Sequence, residues 1–248
     1  MIFQGPGNLP LINTYLEKPG PLDNWQLNGG DFSGLTLKER EVNRLSCERA
    51  FLNETRWENC SLKRPEFRQC SLEGSVFTES LLEEPLFVSC QLRESYWKNL
   101  SLNGGVLRGC TAPRLTMESC RLRRFSLHEP EISRARFSRL AVVASLFTAV
   151  HESGVTGLRK SEVENSLFIN CRFSGTFFSS SVLRNSVFIG CRFVETDWDL
   201  VERDNCHFAD CEGIPREESH MNKKRSEAPG PKGGWNRFAQ EVLNEREK

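Results

Sequence analysis

The chain has 248 residues, with 33 Lys+Arg against 33 Asp+Glu and 38% hydrophobic residues. That length suits one large domain or two ordinary ones, and zero net charge argues against a partner recognised by global charge, such as nucleic acid or an anionic membrane. No apolar run approaches the roughly 20 residues of a membrane span, and the opening MIFQGPGNLPLINTYLEKPG lacks the basic-then-apolar order of a signal peptide; the expectation is a cytoplasmic protein, with signal-peptide-independent secretion left open.

Residues 1–21 carry Pro6, Pro10, Pro19 and Pro21 around apolar Leu11, Ile12, Tyr15 and Leu16. They are expected to form an irregular or short helical N-terminal cap, because the segment that follows has an open edge to protect.

From Leu22 a period of five takes over. Every fifth residue from Leu22 to Phe147 is apolar, 26 in succession, as in Leu62, Phe67, Leu72 and Phe77. Five is neither the 3.6 of a helix nor the 2 of a strand. The phase slips by one within TAVHESGVTG (148–157), read as a break or bulged loop, and resumes at Leu158 through Val163, Phe168, Phe173, Phe178, Leu183, Phe188, Phe193 and Trp198 to Phe208, with Arg203 the polar exception. A second period of 20 is nested in the first: Trp57, Phe77, Trp97, Met117 and Phe137 form one size-matched series, and Leu62, Leu82, Leu102, Leu122 and Val142 another. Twenty residues therefore make one coil of four pentads, with like residues stacked on like.

Ten cysteines raise the question of disulfides or metal. Nine of them stand at the place two residues before the centre of a pentad, which they share with serine and threonine, and the tenth, Cys47, is itself central. This assigns cysteine the role of a small buried filler. Thiols stacked in a line, such as Cys70, Cys90 and Cys110, do not converge on the tetrahedron that zinc needs.

Units such as CSLKR, CSLEG, CQLRE, CRLRR, CRFSG and CRFVE make the pattern recognisable: it resembles the pentapeptide-repeat family, over about Leu22 to Cys211. The resemblance implies an all-β solenoid, a right-handed four-sided parallel β-helix. Stacked coils bury a continuous core that no single coil can close, and about nine coils at roughly 4.8 Å give a rod on the order of 45 Å. Its sides are expected to be bridge-like and turn-rich, with few assigned strands. Alanine, the family's favoured small residue, is scarce here, and Pro65, Pro85 and Pro130 are the expected irregular corners.

After Cys211 the composition changes. Residues 212–234 are charged, with Pro and Gly, and read as a flexible linker. In 235–248, Trp235, Phe238, Ala239, Val242 and Leu243 share one helical face. A helix of this length is marginal alone and needs a surface: the end of its own rod, a second copy, or another protein. In the family, such helices commonly cap the rod and mediate dimers.

No catalytic, cofactor or metal constellation is legible. The histidines, His128, His151, His207 and His220, are scattered. Charge is uneven along the rod. From Arg108 to Arg139 there are eight arginines, Arg121, Arg123 and Arg124 among them, against three glutamates; from Glu195 to Glu212 there are seven acids, including Asp197 and Asp199, against Arg203. The sequence thus points to a non-enzymatic interaction module, a rigid adaptor or docking scaffold of bacterial type associated with a secretion system. Its expected contacts are Trp235, Phe238, Val242, Leu243, Arg121, Arg123, Arg124, Glu195, Asp197 and Asp199, with a protein partner or a second copy, and neither membrane nor direct nucleic-acid binding. The alternative is a DNA-mimicking gyrase protector similar to the quinolone-resistance pentapeptide proteins. Against it, Leu22 to Cys211 holds 24 basic and 25 acidic residues, whereas those proteins are strongly acidic.

Overall fold

Each pentad folds in the same way. A three-residue strand turns its middle residue inward and its two flanking residues outward, as in Arg56–Glu58, Ser61–Lys63 and Glu66–Arg68, whose centres Trp57, Leu62 and Phe67 are fully buried. The next residue makes a corner in the left-handed backbone region. Among the described residues, twenty-nine non-glycine corners have φ between 47° and 59°, Arg64, Glu84 and Arg124 among them. Such a conformation costs a non-glycine residue about 1 kcal/mol or more. The corner amide repays it by donating to the next coil, as Arg64 N does to Glu83 O at 2.8 Å and Glu54 N to Glu73 O at 2.8 Å.

The computed structural model describes residues 2–4, 12, 14, 16, 20–153, 157–174, 178–196, 198 and 200–214. The chain divides into two units, Met1–Gly213 and Ile214–Lys248, and every described residue but Ile214 belongs to the first.

The coils stack into four parallel ladders, named here in chain order. Face one has ten strands, from Leu22–Asp23 to Val201–Asp204; face two has eleven, from Ile2–Gln4 and Gln26–Asn28 to His207–Ala209. Face four runs in seven strands from Thr36–Lys38 to Gly157–Arg159. Face three begins as isolated bridges, Asp31 to Phe51 to Ser71 to Gln91 to Thr111 to Glu131, and becomes a four-stranded sheet from Glu131–Ser133 onward. The expectation of few strands is met only on the first part of face three. There β-turns replace the strand, each closed by a bond such as Thr55 N to Leu52 O, with a corner residue of positive φ in the third place.

Register follows the period of 20: Phe77 pairs with Trp57 and Trp97, and Leu82 with Leu62 and Leu102. It steps once to 21, where Glu131 still pairs with His151 but Arg136 pairs with Gly157. The extra residue therefore enters between Ser153 and Gly157, and 154–156 lie outside the described residues. Of the 26 central residues from Leu22 to Phe147, Leu127 alone is half-buried and the rest are buried. Each such Leu or Phe contributes about 1.5–3 kcal/mol.

At the N-terminal edge, Ile2–Gln4 adds a strand to face two, Ile12 is fully buried, and Arg40 Nη2 donates to Leu16 O. At the other edge, Trp198 Nε1 donates to Gly213 O at 2.9 Å, and half-buried Arg203 lies 4.7 Å from the Trp198 ring centroid.

The prolines correct one expectation. Pro65 and Pro85 are buried corner residues, and the strands after them, Glu66–Arg68 and Leu86–Val88, keep the regular pattern. Proline suits this inward corner because it has no N–H to satisfy. The next residue in the column is Gly105, where a Cβ would lie 2.4 Å from Pro85 O.

Candidate interaction surface

Cysteine and serine do more at the inward corner than fill space. Cys70 Sγ lies 3.3 Å from Cys47 O and 3.3 Å from Arg68 O, and Cys90 Sγ 3.3 Å from Phe67 O. The corner amides are satisfied by the same side chains: Cys60 N donates to Ser80 Oγ at 2.9 Å, Ser145 N to Ser166 Oγ at 3.2 Å, and Ser166 N to Ser186 Oγ at 3.2 Å. Alanine at this position would leave those buried N–H groups without a partner, which explains its scarcity. The thiols act as donors to carbonyls: burial pushes Cys120 up to about 11, and the bond to Cys110 together with burial pushes Cys90 up to about 12, while the same bond lowers Cys110. All ten cysteines are free, and a thiol pushed up by burial, as at Cys90 and Cys120, is a poor nucleophile.

Recognition is therefore left to the outward positions. The structure brings Arg121 and Arg123 together on face one, where they flank inward Leu122, with Arg124 on the corner toward face two. All three are exposed, and among the described residues none makes an ion pair. Arg124 also edges a groove with Arg44, Lys63, Arg64, Glu83 and Glu84. The rest of the basic run is dispersed: Arg108 is on face two, Arg136 on face four, and Arg139 pairs with Glu118 at 3.3 Å. The acidic run is dispersed too. Glu195 is an exposed corner, Glu202 pairs with Arg184 at 3.6 Å and Glu212 with Arg192 at 3.1 Å. Asp197 and Asp199, like Trp235, Phe238, Val242 and Leu243, lie outside the described residues.

Face two carries a feature that sequence reasoning missed. From Leu146 onward its outward residues are Leu146, Thr148, Leu167, Ile169, Val187, Ile189, His207 and Ala209, without a formal charge. The corners beside it are small or amide-bearing: Ala144, Asn165, Asn185 and Asn205 on one side, Ala149, Asn170, Gly190 and Asp210 on the other. Asn205 Nδ2 donates to Asn185 Oδ1 at 2.7 Å, so one rim is itself a ladder. Behind the panel, Phe147, Phe168, Phe188 and Phe208 stack face to face at 4.7, 4.6 and 4.8 Å between centroids. The outward side chains thus stand on a rigid aromatic column. Its sequence signal was available in the triplets LFI (167–169) and VFI (187–189), where apolar residues occupy outward as well as inward places.

The family described as "Pentapeptide repeats (8 copies)" matches residues 164–197. Curated proteins give no match. Among solved structures, HetL of the cyanobacterium Nostoc sp. strain PCC 7120, a pentapeptide-repeat protein involved in heterocyst differentiation regulation, is 12% identical, with 82% of this chain and 92% of that chain covered and a TM-score of 0.49. QnrB1, a plasmid-mediated fluoroquinolone resistance protein, in a trypsin-treated variant form, is 14% identical over 86% of this chain and 100% of that chain, with a TM-score of 0.38. An alginate lyase of Paenibacillus sp. strain FPU-7 is 8% identical over 86% and 99%, with a TM-score of 0.33. Likenesses of this size decide nothing about function. The family match over residues 164–197, the five-residue unit and the twenty-residue coil agree, and the described chain is a parallel β-solenoid built of pentapeptide repeats.

Proposed function

We propose that this protein is a non-enzymatic docking scaffold whose principal contact is the uncharged panel on face two. One observation carries the reading: Leu146, Leu167, Ile169, Val187 and Ile189 put apolar side chains at outward strand places, half-buried at Leu146, Val187 and Ile189 and buried at Leu167 and Ile169, on a rod whose other outward positions are largely charged or polar. An apolar patch with a small, polar rim suits a protein partner presenting an apolar helix face. Arg121, Arg123 and Arg124 form a second, basic contact that sets orientation and on-rate more than affinity. An adaptor role beside a bacterial secretion system is the setting we favour, and the cytoplasm the compartment.

The test is affinity capture from the native host with the wild type, Ile189→Glu on the panel and Arg68→Glu on the same face. A partner retained by wild type and Arg68→Glu but lost with Ile189→Glu supports the docking panel. Equal retention by all three sinks it. The gyrase-protection reading predicts that added protein restores supercoiling in the presence of a quinolone; the pairing of Glu202 and Glu212 with arginines of the preceding coil weakens the acidic surface that mimicry requires.

A further inference from the structure

A cavity of about 40 Å³ lies inside the rod around the step in register, and its accessible wall is wholly apolar. The centres of the pentads mark its place. Leu127 is the one half-buried centre between Leu22 and Phe147, and Met117, Phe137 and Phe147, at 6%, 6% and 8% exposure, are less closely covered than Trp97 or Leu102 at 1%. All four line the cavity. Trp97, also in the wall, has a different arrangement from its counterpart two coils earlier in the column. Trp57 lies flat on Phe77, with 3° between the ring planes, and donates from Nε1 to Thr55 Oγ1 at 3.1 Å. Trp97 is turned 64° from Phe77, and its buried Nε1 has no hydrogen-bond partner among the described residues. We propose that this cavity is a binding site for a small apolar molecule, a dissolved gas or a one- or two-carbon compound, packed beside the indole of Trp97.

The wall sets the class of ligand. A charged molecule would meet no counter-charge. Water needs roughly two to four polar partners, and an apolar cavity without them stays dry. What the wall offers is dispersion: its atoms lack neighbours on one side, and a polarisable occupant supplies them. Volume sets the size. An apolar cavity of about 150 Å³ takes benzene or xenon; this one is about a quarter as large, so a six-membered ring is too big and an occupant of xenon's size fits. The chain itself leaves the space. Ala112 stands in a central column where Leu72 and Leu92 precede it, and Leu127 stands between Phe87 and Phe147 in another. Phe147 and Phe168 belong both to the cavity wall and to the aromatic column behind the uncharged panel, so an occupant touches the backing of that face. The inference does not depend on docking there.

The test is xenon alone, added under pressure to the full chain labelled with nitrogen-15 at its five tryptophans, with the indole N–H signals read by NMR. Trp97→Phe assigns the Trp97 signal. That signal is expected to shift saturably with xenon pressure while the Trp57 signal stays nearly still. Ala112→Val narrows the cavity from face three and should weaken xenon binding about tenfold or more. Leu127→Phe fills it from face two with the residue type of Phe87 and Phe147 and should do the same, while outward Arg93→Asp should leave binding unchanged. A common, unsaturable drift of all indole signals overturns the inference. So does saturation that both filling variants retain, because xenon would then sit elsewhere, and so does a long-lived water giving a cross-peak to the Trp97 N–H, because the cavity would then be wet. The wild type alone keeps the test decisive if the filling variants unfold. Xenon should raise its unfolding midpoint in denaturant, as a ligand of the folded chain does, and an unmoved midpoint together with an unmoved Trp97 signal sinks the site.

Discussion

The two ends of face two are built alike inside and differently outside. In both, a central apolar column is stacked by parallel pairing: Leu27, Cys47, Phe67, Phe87 and Leu107 in one, Phe147, Phe168, Phe188 and Phe208 in the other. Outside, the first end mixes charged Glu48, Glu66, Arg68 and Arg108 with apolar Leu86, Val88 and Val106 and has Arg44, Arg64 and Arg49 at its corners, whereas the second is uncharged up to Asp210. The corner column leading into the face differs as well. It reads Pro65, Pro85 and Gly105 at one end, which remove the donor or the side chain, and Ser145, Ser166 and Ser186 at the other, which pair it. The repeat dictates the inward places and the corner geometry and is silent about the outward ones, so that is where the molecule can be specific.

The largest expected effect breaks what the two ends share. Leu92→Asp and Phe188→Asp each put an uncompensated carboxylate into a fully buried column. Each should cost more than about 4 kcal/mol, seen as loss of a cooperative unfolding transition. Arg93→Asp, outward and exposed beside Leu92, should stay within about 0.5 kcal/mol. Equal losses at positions 92 and 93 would refute the register.

The second effect separates the ends. Ile169→Glu buries a charge at a place that is 3% exposed and should lower stability by about 2–3 kcal/mol. Arg68→Glu, in the same outward column at the chain's charged end, should change it by less than about 0.5 kcal/mol. Matching losses in chemical denaturation would mean that the panel is no different from the rest of the face.

Much of this was legible in the sequence, and the part that was not has a physical reason. The centres from Leu22 to Phe147 and the inward corners are constrained by a cross-section too narrow for water, so their residue types repeat and the period announces itself. The coil of 20 and the slip after Phe147 follow from that period alone. The serine and cysteine ladder was half-legible: smallness is visible in the letters, while the donated bond from Ser145 N to Ser166 Oγ needs the next coil to be seen. The apolar panel escaped because its residues carry no period of their own. Leu167 and Ile169 look like more core beside Phe168 until the strand's alternation assigns them outward. Charged clusters such as Arg121, Arg123 and Arg124 drew attention in their place, and the fold keeps these three together on face one and its adjoining corner while scattering the rest of the run.

A third, smaller effect tests the corner ladder. Ser166→Ala removes the acceptor of Ser145 N–H and the donor to Glu164 O, and should cost about 1–3 kcal/mol. Ser166→Cys keeps a group of the kind found at Cys171 and Cys191 and should cost less than about 1 kcal/mol. If alanine and cysteine prove equal in thermal unfolding, the corner side chain is filler after all.

The smallest effect lies between the two ends, where the core holds a void. A cavity of about 40 Å³ is lined by Trp97, Ala112, Met117, Leu127, Pro130 and Phe147, among others. Two features of the chain meet there. Ala112 occupies a central place that Leu72 and Leu92 hold in the preceding coils, and the one-residue insertion after Ser153 widens the coil that follows. At about 24 cal/mol per Å³ such a void withholds roughly 1 kcal/mol. Ala112→Val adds two methyl groups at the wall of the cavity without the bulk of leucine, and is expected to stabilise the rod by about 0.5–1 kcal/mol. The same change at Ala50, an inward corner at the well-packed end with 2% exposure, should destabilise it by about 1 kcal/mol or more. Opposite signs from one chemical substitution, read as midpoint shifts in denaturant, would locate the slack at the register step; a loss at both positions would show that the rod is evenly packed.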